Sequence, residues 1–514
     1  MKVMIAYPPL EGKGCPMLGQ NRQFQWFRNP TYIYPMVPAS AATLSKENGY
    51  EVIWADGIAE RWSYEQFLNL VYRERPDLIV METKTPVVKR HWRIIDELKG
   101  LFSSDPPQIV LVGDHVTALP EESMRNSQVD FILTGGDYDF LLLDLCRYLS
   151  SRGTGENAAN SAAQRPENCG PRASQPALPP GIWYRHNGEI KDTGPFRLDH
   201  DLDFLPFIDR DLTKWQLYAY KNGNFKRTPG TYTMAGRDCW WGRCSFCSWT
   251  TLYPGQYHRA RSPQKLLDEI GFLIENYGVK EIMDDSGTFP VGEWLRELCQ
   301  GMIERGYNKK VTVDCNMRFG ILTQEDYDLM AQAGFRFILF GLESANQETL
   351  DRINKSLRVE QIIEGAKMAK RAGLEPHITA MVGYPWESKA QAQRTIELAK
   401  DLFGKGYVDS LQATIVIPYP GTPLYYECDR NGWLKTRDWD RYDMGEGVMK
   451  SSLTDDEIKK LTQELYKAFA SPQFILRKLV SMRRLEDLAF LWRAGTKVIG
   501  HLGDFGRKGT EHVS

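Results

Sequence analysis

The feature that most restricts how this chain folds is an alternation of short apolar runs rich in β-branched residues with amphipathic helical stretches. Within residues 1–150 the runs are Val3–Ala6, Val52–Ala55, Leu78–Met81, Ile109–Val112 and Phe131–Leu133. Helical patterns at Ala39–Asn48, His91–Leu98 and Phe140–Leu149 fall between or after them. Short continuous apolar runs separated by helices predict a parallel sheet with helices on both faces. Ligands of such sheets sit beyond the carboxyl ends of the strands. Those ends carry Tyr7-Pro8-Pro9, Asp56-Gly57, Thr83-Lys84-Thr85-Pro86, Gly113-Asp114-His115 and Thr134-Gly135-Gly136. Glycines there let a backbone approach something closely. The chain has no Walker loop or GxGxxG sequence, so a nucleotide is not favoured.

Five strands in that order suit a flavodoxin-like doubly wound domain. Residues 151–180 interrupt the pattern: this stretch is rich in Ala, Ser, Asn, Gly and Pro, predicts a low-complexity disordered linker or insert, and leaves Cys169 inert. Residues 181–230 read as a connector with a β-hairpin, Ile182–Arg185 and Glu189–Lys191, around Asn187-Gly188. From Thr231 the alternation resumes. Strands are expected at Thr231–Ala235, Glu281–Met283, Val311–Cys315, Phe337–Gly341, Pro376–Met381 and Gln412–Ile417. Helices are expected near Pro263–Tyr277, Glu293–Arg305, Gln324–Ala333, Val359–Arg371 and Lys389–Phe403. Six such units within residues 231–430 point to an incomplete (β/α)6 TIM-like barrel, whose chemistry belongs at the carboxyl ends of its strands. Residues 431–514 read as a helical C-terminal region, with helices at Thr454–Ala470 and Phe474–Trp492. The fold class is therefore α/β with a helical tail.

Charge and hydropathy exclude several classes. With 64 basic against 66 acidic residues, the chain gives no general reason to expect nucleic acid as partner. No apolar run approaches the ~20 residues of a membrane span. The start, MKVMIAYPP, is too short and too soon broken by proline for a signal peptide, and a cytoplasmic location is expected. The basic amphipathic segment Phe474–Trp492 reads as a helix packed on its own barrel, or alternatively as a peripheral contact with an anionic membrane or lipid-like substrate.

The nine cysteines are unevenly spread. Cys15, Cys146, Cys169, Cys299, Cys315 and Cys428 are isolated, whereas Cys239, Cys244 and Cys247 lie within nine positions. An odd count with one tight group in an unsecreted chain reads as metal chemistry rather than disulfides. Three thiolates in one loop after the first barrel strand can hold three irons of a [4Fe–4S] cluster and leave the fourth open to a chelating small molecule. A zinc site would pair two close couples, which this chain lacks. Cys315, at the end of the third barrel strand, is the candidate fourth ligand; a cluster closed by it would make a non-catalytic iron–sulfur protein.

The loop Cys239-Trp-Trp-Gly-Arg-Cys244-Ser-Phe-Cys247 resembles the cluster loop of radical S-adenosylmethionine (SAM) enzymes, which is usually CxxxCxxC with an aromatic before the last cysteine. Phe246 matches that aromatic, whereas four residues, not three, separate Cys239 from Cys244. The resemblance continues along the strand ends: Met283–Phe289, Asp314–Arg318, Gly341-Leu342-Glu343-Ser344 like GxES, Val382–Glu387 like GxPGE with Trp386 for glycine, and Pro418–Pro423. It implies that Phe246, Asp284, Asp285, Asn316, Arg318, Glu343 and Gly383 contact SAM, with a carboxylate facing its ammonium and Glu343 near its ribose or amino group. Alternatives stand beside these roles. One of Asp284 and Asp285 would only cap a helix, Arg318 would pair with Glu343 or Asp284, and His377 would be a packed strand residue. Tyr384, Trp386 and Tyr419 would line the substrate side or simply pack.

The first domain resembles the cobalamin-binding domain of B12-dependent radical SAM proteins. Gly113–Glu122 is similar to that family's GGxHxTxxPEE segment, and Thr134-Gly135-Gly136-Asp137 stands where GEGE is usual. The resemblance implies that Tyr7, Pro8, Thr83, Thr85, Gly113, His115, Gly135 and Gly136 lie beside a cobalamin. The DxHxxG motif that supplies an imidazole to cobalt is absent, and a domain that no longer binds cobalamin is the alternative. Membership of this B12-binding-domain-containing radical SAM family implies three cofactors, namely a [4Fe–4S] cluster, SAM and cobalamin. It also implies an external one-electron reductant such as flavodoxin or ferredoxin. The implied reaction is methylation of an unactivated sp3 carbon of a small-molecule or lipid-like substrate. The runner-up is radical oxidation, ring closure or carbon–carbon coupling on a tetrapyrrole, lipid or natural product, with or without cobalamin.

Overall fold

The computed structural model describes residues 1–18, 24–27, 30–102, 104–161, 177–220, 225–255 and 258–481, together with positions 490, 491 and 495. In the first domain, β1 (Lys2–Tyr7), β2 (Glu51–Asp56), β3 (Leu78–Glu82), β4 (Gln108–Val112) and β5 (Phe131–Leu133) form a parallel sheet in the order β2-β1-β3-β4-β5. That is the flavodoxin-like order, with its switch point between β1 and β3. Helices α1 (Met36–Glu47), α2 (Tyr64–Glu74), α3 (Val88–Leu101) and α4 (Tyr138–Ser161) accompany the strands. Leu78–Glu82 is buried along its whole length, as a strand covered on both faces must be. Helix α4 runs into the segment expected as a linker; its residues 162 to 176, including Cys169, lie outside the described residues.

The hairpin expected after that segment forms, with β6 (Ile182–His186) and β7 (Glu189–Asp192) joined by Asn187 at φ +52° and Gly188 at φ +81°. Two positive φ values make the tight turn that matches strand twist. The hairpin does not stand in a separate connector: β6 pairs antiparallel with β5 and extends the first sheet. It thereby covers the ladder groups that β5 would otherwise expose as an edge.

The second sheet contains β8 (Gly230–Thr233), β9 (Glu281–Asp284), β10 (Thr312–Met317), β11 (Phe335–Glu343), β12 (Glu375–Val382) and β13 (Ser410–Ile415), parallel and in sequence order. Its two ends are not paired with each other, so it is the incomplete six-stranded barrel that the alternation predicts. Helices α5 (Pro263–Tyr277), α6 (Glu293–Glu304), α7 (Gln324–Gln332), α8 (Val359–Arg371) and α9 (Lys389–Gly404) connect the strands. The ends of α5 show why they fall where they do. The Ser262 hydroxyl accepts the Lys265 N–H, Pro263 opens the first turn, and Gly278 closes the last in the left-handed region.

The C-terminal region departs from the expected helical reading. Residues 431–453 form an irregular arm, because Asn431-Gly432 and Gly445-Glu446-Gly447 favour turns and no helical stripe runs between them. The arm crosses back onto the first domain: Trp439 Nε1 donates to Glu122 (3.0 Å), Lys89 pairs with Asp438 (2.7 Å) and Lys13 with Asp443 (2.7 Å). Helix α10 (Asp455–Lys467) begins at a reciprocal cap between Thr454 and Glu457 and packs Ile458, Leu461 and Leu465 inward. Helix α11 (Pro472–Ser481) covers the start of the expected Phe474–Trp492 helix, most of whose remainder lies outside the described residues. Arg477 donates to the carbonyls of Phe403 and Gly404 (2.6 Å each) and Lys478 to Asp409 (3.0 Å), so these cations hold the helix to the barrel. No helix among the described residues is long and apolar enough to cross a membrane.

Candidate functional site

The carboxyl ends of the two sheets face each other. The turn after β3, Thr85–Val87, packs against Trp439–Arg441 of the arm, and the short helix after β4, Asp114–Ala118, packs against Trp249–Leu252. That last helix follows Cys247 directly. A Cβ at Gly421, in the turn after β13, would meet Thr251 and Ala118, so three segments converge there.

The loop bearing Cys239, Cys244 and Cys247 is closed by a two-residue ribbon in which Gly236–Arg237 pairs with Arg259–Ala260. Both arginines of this ribbon are held by the first domain. Arg237 donates to both carboxylate oxygens of Asp139 (2.8 and 2.5 Å), and Arg259 donates to both of Asp137 (2.6 and 2.8 Å). His200 approaches Asp137 at 2.9 Å. Burial would push the Asp137 carboxyl up, but His200, Arg259 and Arg237 hold it far below the usual range.

Within the loop, Cys239 Sγ lies 3.1 Å from the Thr288 hydroxyl, and the Cys247 N–H donates to the Cys244 carbonyl (3.2 Å). Burial pushes the Cys244 thiol up to about 11, against the pull of Lys355. Among the described residues no group of three or more His, Cys, Asp or Glu side chains is placed to hold a single metal ion. Three thiolates that each take a separate iron need no such point. Cys315 is not part of this group. It is fully buried in β10, where the ionisable groups acting on it include Asp284, Asp314, Cys299 and Tyr327, whereas those acting on Cys244 include Lys355, Cys239, Glu343, Arg318 and Tyr384. The structure thus offers no fourth thiolate from Cys315, and the donor set fits a cluster with one open iron.

Four residues after α-helical Gln347–Arg352 strap this loop from the barrel side. The Ser245 N–H donates to the Ile353 carbonyl (3.0 Å) and Trp241 Nε1 to that of Asn354 (2.9 Å). Arg318 donates to the carbonyls of Lys355 and Ser356, the latter at 2.7 Å, while its guanidinium lies 4.3 Å from the Trp241 ring centre. Arg318 therefore pairs with neither Glu343 nor Asp284. Glu343, in the left-handed region at φ +61°, accepts from Lys355 Nζ at 2.8 Å.

The other barrel residues divide. Asp284 is fully buried and accepts from the Thr233 hydroxyl (2.9 Å) and the Ala235 N–H (2.8 Å), and burial raises its carboxyl. It braces the start of the cluster loop. Asp285 is half-buried, and its N–H donates to the Thr233 carbonyl (2.8 Å). Asn316 donates to the Ser286 carbonyl (2.9 Å), Phe246 is half-buried beside the cysteines, and Gly383 takes φ +100° at the turn after β12. His377 meets the Ser410 hydroxyl at 2.8 Å, and burial lowers its imidazole to about 4. Tyr384 stacks on Trp386, and Tyr419 donates to the Tyr442 carbonyl (3.1 Å); all three aromatics pack within the protein.

In the first domain, Tyr7, Pro8, Thr83, Thr85 and His115 are all buried at the strand ends. The Tyr7 hydroxyl donates to Glu82 at 2.5 Å. His115 lies 3.1 Å from the Thr85 hydroxyl, 3.3 Å from Glu122 and edge-on to Trp439. His91 approaches Thr83 through Nδ1 (2.7 Å) while its Nε2 is buried without a partner. The glycines sit against protein: a Cβ at Gly113 would meet the Thr83 carbonyl oxygen at 2.3 Å, at Gly135 the Phe196 ring at 2.4 Å, and at Gly136 the Tyr253 ring at 2.0 Å. The buried His91 Nε2 without a partner fits a further polar-edged group beside Thr83, whereas the space beside the three glycines is taken by Thr83, Phe196 and Tyr253.

Sequence reasoning overlooked Lys355, Asp137, Asp139 and the two ribbon arginines. Asp137 is visible as the last residue of the Thr-Gly-Gly-Asp turn, but nothing local marks its partner.

A family model described as the radical SAM superfamily matches residues 235–399. An uncharacterized methyltransferase of Pyrococcus horikoshii is 25% identical over 91% of this chain and 92% of its own length. The anaerobic magnesium-protoporphyrin IX monomethyl ester cyclase of Cereibacter sphaeroides is 24% identical over 91% of this chain and 70% of its own length. Among solved structures, the radical S-adenosylmethionine methyltransferase TsrM of Kitasatospora setae, with cobalamin and a [4Fe–4S] cluster bound, superposes with a TM-score of 0.66 at 14% identity. The match covers 98% of this chain and 99% of that one, and shows the shared fold.

Proposed function

The chain belongs to the B12-binding-domain-containing radical SAM enzymes, and on that footing we propose that it methylates an unactivated sp3 carbon of a small-molecule or lipid-like substrate. Its cofactors are a [4Fe–4S] cluster, SAM and cobalamin. When bound, these supply a 5′-deoxyadenosyl radical that removes a hydrogen atom and a methyl group that replaces it. The chain's own residues orient the partners and exclude water. Cys239, Cys244 and Cys247 hold the cluster. Glu343, Asn316, Arg318 and Phe246 surround SAM, with Gly383 shaping the adjoining turn. Asp284 acts behind them as a brace for Thr233 and Ala235. Thr83, Thr85, His115 and the strand-end backbone of Tyr7-Pro8, Gly113 and Gly135-Gly136 face the corrin.

The observation that carries the reading is that the cysteine loop and the strand ends of the first domain meet across one boundary, riveted by Arg237–Asp139 and Arg259–Asp137. The similarity to a magnesium-protoporphyrin ester cyclase favours ring closure as the second reading. The test is anaerobic reconstitution with iron, sulfide and hydroxocobalamin followed by gel filtration. About one cobalamin retained per chain establishes the cofactor that methylation needs; an intact cluster with no retained corrin overturns the methyltransferase reading.

A further inference from the structure

The strap Ile353–Ser356 spends all four of its carbonyls on the site. Ile353 and Asn354 accept from Ser245 and Trp241, which flank Cys244 in the chain, and Lys355 and Ser356 accept from Arg318. Asn354 and Ser356 sit at φ +55° and +45°, a region that side chains other than glycine enter at a cost, so these bonds hold a demanding backbone shape. The strap delivers one side chain inward. Lys355 is buried, and its Nζ reaches Glu343 Oε1 at 2.8 Å. The pair lies flat on the backbone of β11: a Cβ at Gly341 would meet Glu343 Oε1 at 2.0 Å and Lys355 Nζ at 2.7 Å.

Resting on the reading that Cys239, Cys244 and Cys247 hold a [4Fe–4S] cluster, we propose that Lys355 is a positioning and charge-compensating residue: it fixes Glu343 and places a buried cation that eases reduction of that cluster. The physics is electrostatic. Three thiolates leave an oxidised [4Fe–4S] core with net negative charge, and the Glu343 carboxylate adds to it. One electron from an external one-electron donor deepens the charge, leaving the donor oxidised. Lys355 and Glu343 are both buried and both act on Cys244, and an ammonium held there offsets this more than one in solvent would. Removing it makes reduction harder, and removing the opposing carboxylate makes it easier.

The test is a potentiometric titration of full-length, anaerobically reconstituted protein, followed by electron paramagnetic resonance, with iron counted on each sample. The variants are Lys355→Gln, Lys355→Arg, Glu343→Gln and the double Lys355→Gln/Glu343→Gln. At a fixed poise, Lys355→Gln lowers the ratio of reduced to oxidised cluster about tenfold, which for one electron is about 59 mV. Lys355→Arg stays with the parent, Glu343→Gln shifts the other way, and the double variant returns toward the parent. A purely architectural lysine would not produce opposed signs that cancel. A fully loaded Lys355→Gln with the parent midpoint overturns the proposal. Should Lys355→Gln lose its iron, an unmoved midpoint in loaded Glu343→Gln overturns it instead. A parent that binds no iron at these cysteines overturns the cluster reading as well, and is recognised by missing iron rather than by an unmoved midpoint.

Discussion

Arg237 and Asp139, on opposite sides of the domain boundary, form a two-pronged ion pair with N···O distances of 2.8 and 2.5 Å, and both side chains are almost wholly buried. Such a pair is a poor source of net stability but a costly one to break, because the surviving charge is left desolvated. Asp139→Ala is expected to lower unfolding free energy by about 3–5 kcal/mol. Asp137 stands 3.2 Å from Arg237 and offsets part of that loss, so Asp137→Ala/Asp139→Ala falls further than either alone. Urea unfolding of the three variants checks this; a loss under about 1 kcal/mol for Asp139→Ala contradicts it.

The cysteines separate into two classes by position. Cys239, Cys244 and Cys247 share one half-buried loop, whereas Cys315 is sealed in β10 beside Asp284, Asp314 and Cys299. Replacing any of the first three with alanine is expected to abolish iron retention and its broad visible absorbance. Cys315→Ala keeps both. Iron loss in Cys315→Ala alone would restore the closed-cluster alternative.

How much of this was legible beforehand follows from range. Runs such as Leu78–Glu82 and Ile109–Val112 announce buried strands locally, and the spacing of Cys239, Cys244 and Cys247 announces a cluster loop. The hairpin turn at Asn187-Gly188 is equally local, yet which sheet it joins depends on β5, about fifty residues earlier. The Arg237–Asp139 pair spans 98 positions, and only the packed fold brings its two ends together. Lys355 sits in an ordinary Asn-Lys-Ser turn, and its importance comes from the carbonyls around it. The arm 431–453 has no periodic face, so its path over the first domain is set by scattered partners such as Trp439 and Glu122.

Glu82 gives the first domain a pH signature. Burial pushes its carboxyl up to about 7, although Lys84 and the Tyr7 hydroxyl pull it down. An unfolded glutamate titrates near 4.3. Between about pH 4 and pH 7 the folded state therefore holds more protons than the unfolded, and stability falls as pH rises through that window. Glu82→Gln removes this titration while its amide carbonyl still accepts from Tyr7. From pH 5 to pH 8 the parent is expected to lose about 2–3 kcal/mol relative to Glu82→Gln. Asp56, raised to about 6 by burial, contributes in the same direction in both proteins and cancels in the comparison. Parallel stability profiles from urea titrations at each pH would contradict the assignment.

Gly136 distinguishes packing from cofactor contact. Its N–H donates to the Leu252 carbonyl (3.0 Å), its own carbonyl accepts from the Tyr253 hydroxyl (3.1 Å), and that ring is stacked on Trp249. A methyl group on Gly136 would fall 2.0 Å from the ring carbon bearing the hydroxyl, so the ring must leave and its hydrogen bond with it. Gly136→Ala is expected to destabilise the cofactor-free protein by about 1–3 kcal/mol, as overpacking does. Tyr253→Ala opens the space, so the double variant costs less than the sum of the singles, as contacting residues do. Thermal unfolding of cofactor-free protein measures this. If Gly136→Ala is neutral there but cobalamin retention falls, the glycine serves the corrin; if stability falls first, it serves the contact between Tyr253 and the first domain.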